Sequence, residues 1–470
     1  MKTGSSYASI PNPTPVLFLI TAIALLIWPD AAAKTTVAIS GAVLLPIAVI
    51  VLARSPKAAI VALVAASAAP RLFIEITGLR ARPEHMVSVL LLCLVPFIWK
   101  RREQPIQWTD PDYWLMAYVG MNLFSSVFMS TAPAQTIKWA IQQVLAILPY
   151  FLLRLLIVDR ERFRWAFRAS LVVGAMASAY AITCFYSNRF LGTNFGVDLT
   201  QYVTVPATYG VQFEPNILGA FSGALAVMMM ALYFYERRPV YLIGSAFVGM
   251  IGMAISLSRA ALAATLVGLW VLGWFGLKRQ LVDWKLARSV IIVMVCAAAI
   301  VVPSVFGYYL ERFSTFDLGD PTADPNTLSR AMQTYIAIDE IGRHPVLGGG
   351  TASFQLAFDW KAFGTGWEDE GWIGNTELRV LHDTGAVGLA IFVGFIASLL
   401  RLAWRILKRE SSPELVALLA AGLVYVITFQ ATEGTLLAFS WVHFGLAGCA
   451  VSIMSSRANN NNLPEEPVST

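Results

Sequence analysis

The chain has 470 residues, 57% of them hydrophobic and 13% charged, with a net charge of +5 and a mean hydropathy of +0.64. A soluble domain carries about 25% charged residues, so a large soluble enzyme is excluded, as are the disordered, collagen-like and disulfide-scaffold classes. The apolar residues fall in blocks long enough to cross a bilayer at roughly 20 residues per helix, which predicts an all-α polytopic membrane protein.

Fourteen blocks are candidate spans, at about 15–33, 36–53, 58–76, 85–99, 112–129, 137–157, 166–186, 215–235, 239–257, 260–277, 290–309, 380–402, 415–432 and 435–454. Arg71, Glu75, Arg80, Arg82 and Glu84 crowd the connection between the third and fourth, which read alternatively as short or interfacial helices. The expectation is therefore about 12–14 transmembrane helices. The first block resembles a secretory signal in its Val16–Trp28 core and its Ala31-Ala32-Ala33 stretch. Its weakly charged start favours a retained helix. Cys93, Cys184, Cys296 and Cys449 lie in apolar runs without metal-ligand spacing and read as small core residues.

Alternation of the spans puts 22 of the 34 basic residues on one side. They include Lys100–Arg102, Arg160–Arg168, Arg237–Arg238, Lys278–Arg288 and Arg401–Arg409. By the positive-inside rule that side is cytoplasmic, with both termini on it. The net positive charge thus reports topology rather than nucleic-acid binding, and no nucleic-acid partner is expected. The chain divides into N-terminal spans over 1–309, a large external loop over 310–379, three C-terminal spans over 380–457 and a disordered tail over 458–470.

The large external loop holds eleven acidic and five basic residues, and also Trp360, Trp367 and Trp372. Carboxylates accept hydroxyl hydrogen bonds and ring faces pack on pyranose C–H faces, so this composition suits neutral sugars; a solvated loop with interfacial tryptophans is the alternative. Asp324-Pro325-Asn326-Thr327 reads as a helix start and Leu328–Ile341 as an amphipathic helix stopped by Gly342. Arg330, in its first turn, is disfavoured there by the helix dipole, which points to an anionic partner. His344-Pro345-Val346-Leu347-Gly348-Gly349-Gly350 follows, where three glycines allow either a turn or close approach to a phosphate.

Two more polar features sit at external span ends. Phe213-Glu214-Pro215-Asn216 opens the eighth span, and Ser256-Leu257-Ser258-Arg259 separates the ninth from the tenth. A cation at the membrane interface either snorkels or pairs. Arg grips phosphate bidentately, so Arg259 and Arg330 together suit a pyrophosphate. There is no Walker A loop, GxSxG or HExxH motif, and the four histidines are scattered; no metal and no cofactor are expected.

These features occur in an order that resembles the O-antigen ligase and polymerase superfamily of bacterial inner-membrane proteins, from about Thr208 to Gly388. Four blocks carry the resemblance. They are Glu214-Pro215-Asn216-Ile217-Leu218-Gly219, Ser256–Leu262, Ser329-Arg330 through His344–Gly350, and Asn375-Thr376-Glu377-Leu378 leading to Asp383-Thr384-Gly385-Ala386-Val387-Gly388-Leu389. The resemblance implies an inverting, metal-independent GT-C type glycosyltransferase of the inner membrane with a periplasmic active site. Its donor is a glycan on undecaprenyl diphosphate. Its acceptor is lipid A-core in a ligase (lipopolysaccharide) or the next repeat unit in a polymerase (exopolysaccharide among them), where a chain-length regulator is a further partner. It also implies that Arg259 and Arg330 hold the diphosphate and that Asn375 matches an Asn beside the catalytic base. The family's His falls at Gly374 here, which leaves Glu377, Asp383, His382 and Glu214 as candidates for the base. Asn216, Gly348, Gly350 and Trp372 complete the substrate-binding set. A bicarbonate or lipid-linked oligosaccharide transporter is the rival reading; carriers, however, place polar groups at the midplane rather than at external ends.

Overall fold

The computed structural model describes residues 49–76, 79–100, 105–198, 205–314, 325–356 and 372–460. The first predicted span, most of the second and most of the tail lie outside them, as do Trp360 and Trp367. Among the described residues the fold is a helical bundle. In chain order its long elements are α1 (Pro56–Ser67), α2 (Pro83–Lys100), α3 (Asp110–Phe128), α4 (Pro133–Leu156), α5 (Arg160–Leu191) and α6 (Pro215–Glu236). There follow α7 (Pro239–Ile243), a π-helical turn (Gly244–Met250), α8 (Ile251–Ile255), α9 (Arg259–Lys278), α10 (Trp284–Ser314), α11 (Pro325–Arg343), α12 (Thr376–Arg409), α13 (Pro413–Thr428) and α14 (Ala438–Asn460). Eight of these helices are long and apolar enough to cross a membrane, and the protein is an all-α multi-pass membrane protein.

The helix starts follow from local chemistry. Pro opens α1, α4, α6, α7 and α13, where its missing N–H is not needed. Side chains of Ser55, Asp159, Ser258, Asn375 and Ser412 accept from N–H groups of the first turns of α1, α5, α9, α12 and α13. The third predicted span is corrected: α1 stops at Ser67, and Ile74–Ile76 pairs antiparallel with Leu79–Ala81. Pro70 cannot continue the helix, and the Arg71 N–H donates to Val211 O instead.

The basic clusters come together at one end of the bundle. Arg160 pairs with Glu410 at 3.3 Å, Arg164 with Glu414 at 3.2 Å and Arg237 with Asp283 at 3.6 Å. Lys278 over Trp274 and Lys408 over Trp404 add cation–aromatic pairs of the kind found at membrane interfaces. Around the bundle, Ile291, Ile292, Val295, Ile300 and Val302 of α10 are exposed, as a helix facing lipid requires.

At the centre lies α6, whose span is wholly enclosed by protein. It achieves this with small residues, which let helix backbones approach closely. A Cβ on Gly223 would stand 2.1 Å from Thr265 Oγ1 of α9. One on Gly249, in the π-helical turn, would stand 2.6 Å from Ala226 Cα of α6, where no side chain can swing away. Gly249→Ala is therefore expected to destabilise the protein by about 1–3 kcal/mol. Gly422→Ala, whose Cβ would meet its nearest neighbour, His443 Nε2, at 3.6 Å, is expected to behave as wild type. Thermal melting of the detergent-solubilised variants, followed by size-exclusion profile, checks both.

Candidate active site at the end opposite the basic clusters

The four sequence blocks meet at the end of the bundle away from the basic clusters. Glu214 is the N-cap of α6, and Asn216 sits half-buried in its first turn. Gly219, one turn on, packs so closely on the Ser256–Ala261 corner that a Cβ would stand 2.6 Å from both Ser256 Oγ and Ala261 Cβ. That corner turns at Leu257, which adopts φ +58°, and the Ser258 hydroxyl caps α9. The geometry sets Arg259, half-buried, at the first position of α9 next to the opening of α6.

The third and fourth blocks also dock on each other. Helix α12 is broken at Gly385, with φ +67° and ψ −173°, a region open essentially to glycine alone. The loop after α11 lies in that break. Gly349 N–H donates to His382 O and Gly350 N–H to Asp383 O, both at 3.0 Å; Ala386 N–H donates to Pro345 O at 2.9 Å and Val387 N–H to Val346 O at 3.2 Å. A Cβ on Gly348 would stand 2.4 Å from the Asp383 carbonyl, and one on Gly385 would stand 2.3 Å from the Val346 carbonyl. The glycine run thus packs backbone on backbone. The Ser125 hydroxyl of α3 reaches both Leu347 O and Asp383 O at 2.7 Å and ties the junction to the bundle.

Beneath this junction lies a buried charge cluster. Arg379, 3% exposed, is 3.3 Å from Asp383 Oδ2 through Nε and 2.9 Å from Glu433 Oε2 through Nη1. The Nη1 contact is an ion pair without hydrogen-bond alignment. Asp383 Oδ2 also accepts from Ala352 N–H, and Oδ1 lies 3.0 Å from His382 Nδ1. The His382 ring stands edge-on to Phe354. His382 and Asp383 are thus buried within the structure, whereas Asn375 and Glu377 are half-buried beside Gln430.

Segment 429–437, between α13 and α14, joins everything else. The Gln430 amide donates to Glu377 Oε2 at 2.7 Å and accepts from Asn375 Nδ2 at 2.9 Å. The Thr432 hydroxyl donates to Glu214, and Glu433 accepts from the N–H and hydroxyl of Thr435. The Arg82 guanidinium donates to Leu436 O at 2.7 Å and stacks over Phe213, beside Glu214. Arg71 donates to Phe213 O and covers Tyr209. Reading the sequence passed over Gln430, Thr432 and Glu433. Its one available signal was polar residues in a short connection between apolar blocks.

Helix α11 begins at Pro325, which moves Arg330 into its second turn, where it is exposed. One turn further, buried Gln333 faces Gly374. Trp372, half-buried, stands edge-to-face with Trp139 at 5.3 Å and lies 5.1 Å from the Arg379 guanidinium.

No curated protein matches the chain. Residues 244–393 match the family model described as O-Antigen ligase. The match contains Arg259, Arg330, the glycine loop and its docking site on α12, and leaves Glu214 and segment 429–437 outside. The chain is thus a multi-pass membrane protein with a region, residues 244–393, that is similar to the O-antigen ligase family.

Proposed function

We propose that the protein is a glycosyltransferase that transfers or polymerises a glycan carried on undecaprenyl diphosphate, at the periplasmic face of the bacterial inner membrane. The observation that carries this reading is the convergence of Glu214, Arg259, Arg379, Glu377 and segment 429–437 at the end opposite the basic clusters, inside and beside an O-antigen ligase domain. Basic clusters mark the cytoplasmic side, so the polar end faces the periplasm.

Arg259 and Arg330 grip the diphosphate and stabilise the charge it gains on leaving. An acceptor sugar hydroxyl attacks the anomeric carbon from the opposite face. The new glycosidic C–O bond forms as the bond to the diphosphate breaks, and that oxygen keeps the electron pair. The hydroxyl proton passes to Glu377, the half-buried carboxylate held by Gln430. Buried His382 orients Asp383, and Gly348 and Gly350 shape the site through the loop they fold. One displacement inverts the anomeric centre.

Purified protein given undecaprenyl-diphosphate-linked repeat units alone is expected to make a polymer ladder. Arg259→Ala and Arg330→Ala are each expected to lower the rate about 10²–10³-fold, the effect of removing one transition-state donor. Full activity in both variants overturns the clamp. Polymer formation only after lipid A-core is added identifies a ligase. Uptake into proteoliposomes without any glycosidic product identifies a carrier.

A further inference from the structure

At the basic end of the bundle, Arg160, Arg162, Arg164, Arg237 and Arg238 pair with Glu410, Asp159, Glu414, Asp283 and Glu236 at distances between 3.2 and 3.6 Å. Arg168, two turns into α5, is exposed and has no such carboxylate partner among the described residues. It lines a cleft of about 400 Å³ together with Arg164, Glu236, Arg238, Pro413 and Glu414. The start of α5, the corner between α6 and α7 and the start of α13 meet there. Three arginines and two glutamates leave the lining with one positive charge in surplus. Glu414 is fixed in place: Oε1 accepts from Arg164 and Oε2 from the Ser412 hydroxyl, both at 3.2 Å. Arg164 and Arg238 make their ion pairs through Nε, so their terminal guanidinium nitrogens remain as donors for a ligand.

The cleft continues into apolar surface. Val172, Met176 and Tyr180 follow Arg168 at four-residue intervals on α5, and all three are exposed. Residues four apart share a helix face. An apolar stripe therefore runs from Arg168 along α5 for about 18 Å at 1.5 Å per residue, slightly more than half of a hydrocarbon core of roughly 30 Å. In α7, which follows Arg238 directly, Val240 and Ile243 are also exposed.

These features define one ligand chemistry. Arginines grip phosphate oxygens, carboxylates accept from hydroxyls, and the stripe takes a hydrocarbon chain. A phosphodiester carries a single negative charge and matches the surplus, whereas a phosphomonoester carries roughly 1.5 to 2 and leaves charge unmatched beside two glutamates. We propose that the cleft binds the headgroup of an anionic glycerophospholipid. The phosphodiester meets Arg168, Arg164 and Arg238, a headgroup hydroxyl donates to Glu236, and an acyl chain lies along Val172, Met176 and Tyr180. Basic pockets between membrane helices hold anionic headgroups in this way. Arg168 selects the lipid, because without it the lining is neutral. The site is at the opposite end of the bundle from Arg259 and Glu377, so it stands or falls independently of the transfer reading.

The full-length protein, stripped of lipid in detergent, is titrated with phosphatidylglycerol or with phosphatidylcholine, and retained lipid is counted by native mass spectrometry. Wild type is expected to retain one phosphatidylglycerol in preference to phosphatidylcholine. Arg168→Gln that elutes like wild type is expected to weaken phosphatidylglycerol binding about five- to tenfold, the effect of one cation on a phosphate at the membrane surface. Arg168→Lys keeps the charge and most of the preference. Arg405→Gln removes another exposed cation from the same end and is expected to bind like wild type. Equal retention of the two lipids, wild-type preference in folded Arg168→Gln, or an equal loss in Arg405→Gln overturns the site. Millimolar inorganic phosphate is expected to leave phosphatidylglycerol bound; displacement would make the ligand a free phosphate and overturn the lipid assignment. If Arg168→Gln does not fold, Glu236→Gln decides. It raises the surplus to two charges and is expected to shift the preference toward phosphatidic acid, and an unchanged preference overturns the charge match.

Discussion

Gly385→Ala is expected to remove most of the monodisperse protein from detergent extracts, and to abolish glycan transfer in what remains. A residue with a side chain at φ +67° and ψ −173° is strained by about 1–3 kcal/mol. The larger part comes from position: the new Cβ would stand 2.3 Å from the Val346 carbonyl, which is backbone and cannot rotate away. Either α12 straightens or the loop leaves the break. Both routes cost the four backbone hydrogen bonds that link 345–350 to 382–387, each of net value about 0.5–1.5 kcal/mol. Gly348→Ala is expected to have the same effect from the other side of the contact. Gly422→Ala serves as the control for adding a methyl group elsewhere in the bundle. A Gly385→Ala protein that elutes and melts like the control would show that the break in α12 is dispensable.

Removing Arg379 is expected to cost about 3–5 kcal/mol, because its loss leaves carboxylates of Asp383 and Glu433 buried without their cation. The sign of the second step is the sharper test. Glu433→Gln alone should destabilise, since it unbalances a working pair. In the Arg379→Ala background the same change should restore part of the stability, because it removes a charge that no longer has a partner. Melting temperatures of the four proteins in one detergent close the cycle. If Glu433→Gln lowers the melting temperature of Arg379→Ala further, the two residues are not coupled through charge. Arg379→Lys keeps the charge but lacks the fork that spans both carboxylates, so it is expected to fall between wild type and Arg379→Ala.

Much of the bundle was legible along the chain. Apolar blocks, proline starts and capping side chains are local signals, and they place α3, α4, α6, α9 and α13 within a few residues of their observed bounds. Helix α11 was legible for the same reason: its apolar period and its Pro325 start need no tertiary partner. The third predicted span failed because hydropathy counts residues and does not see that the Arg71 N–H has a partner at Val211.

The sequence by itself determined the membrane class, the basic end and the short list of polar residues that a nearly charge-free chain leaves for chemistry. The tertiary structure decided how those residues are used. It divided the candidates for the base, with His382 and Asp383 held in a buried cluster, Glu377 half-buried against Gln430 and Glu214 half-buried against Thr432. It brought Glu433 to Arg379 across 54 positions of sequence and Thr432 to Glu214 across 218. No periodicity encodes such pairs, because they arise where helix ends converge, and that convergence depends on how closely glycines let the backbones pack.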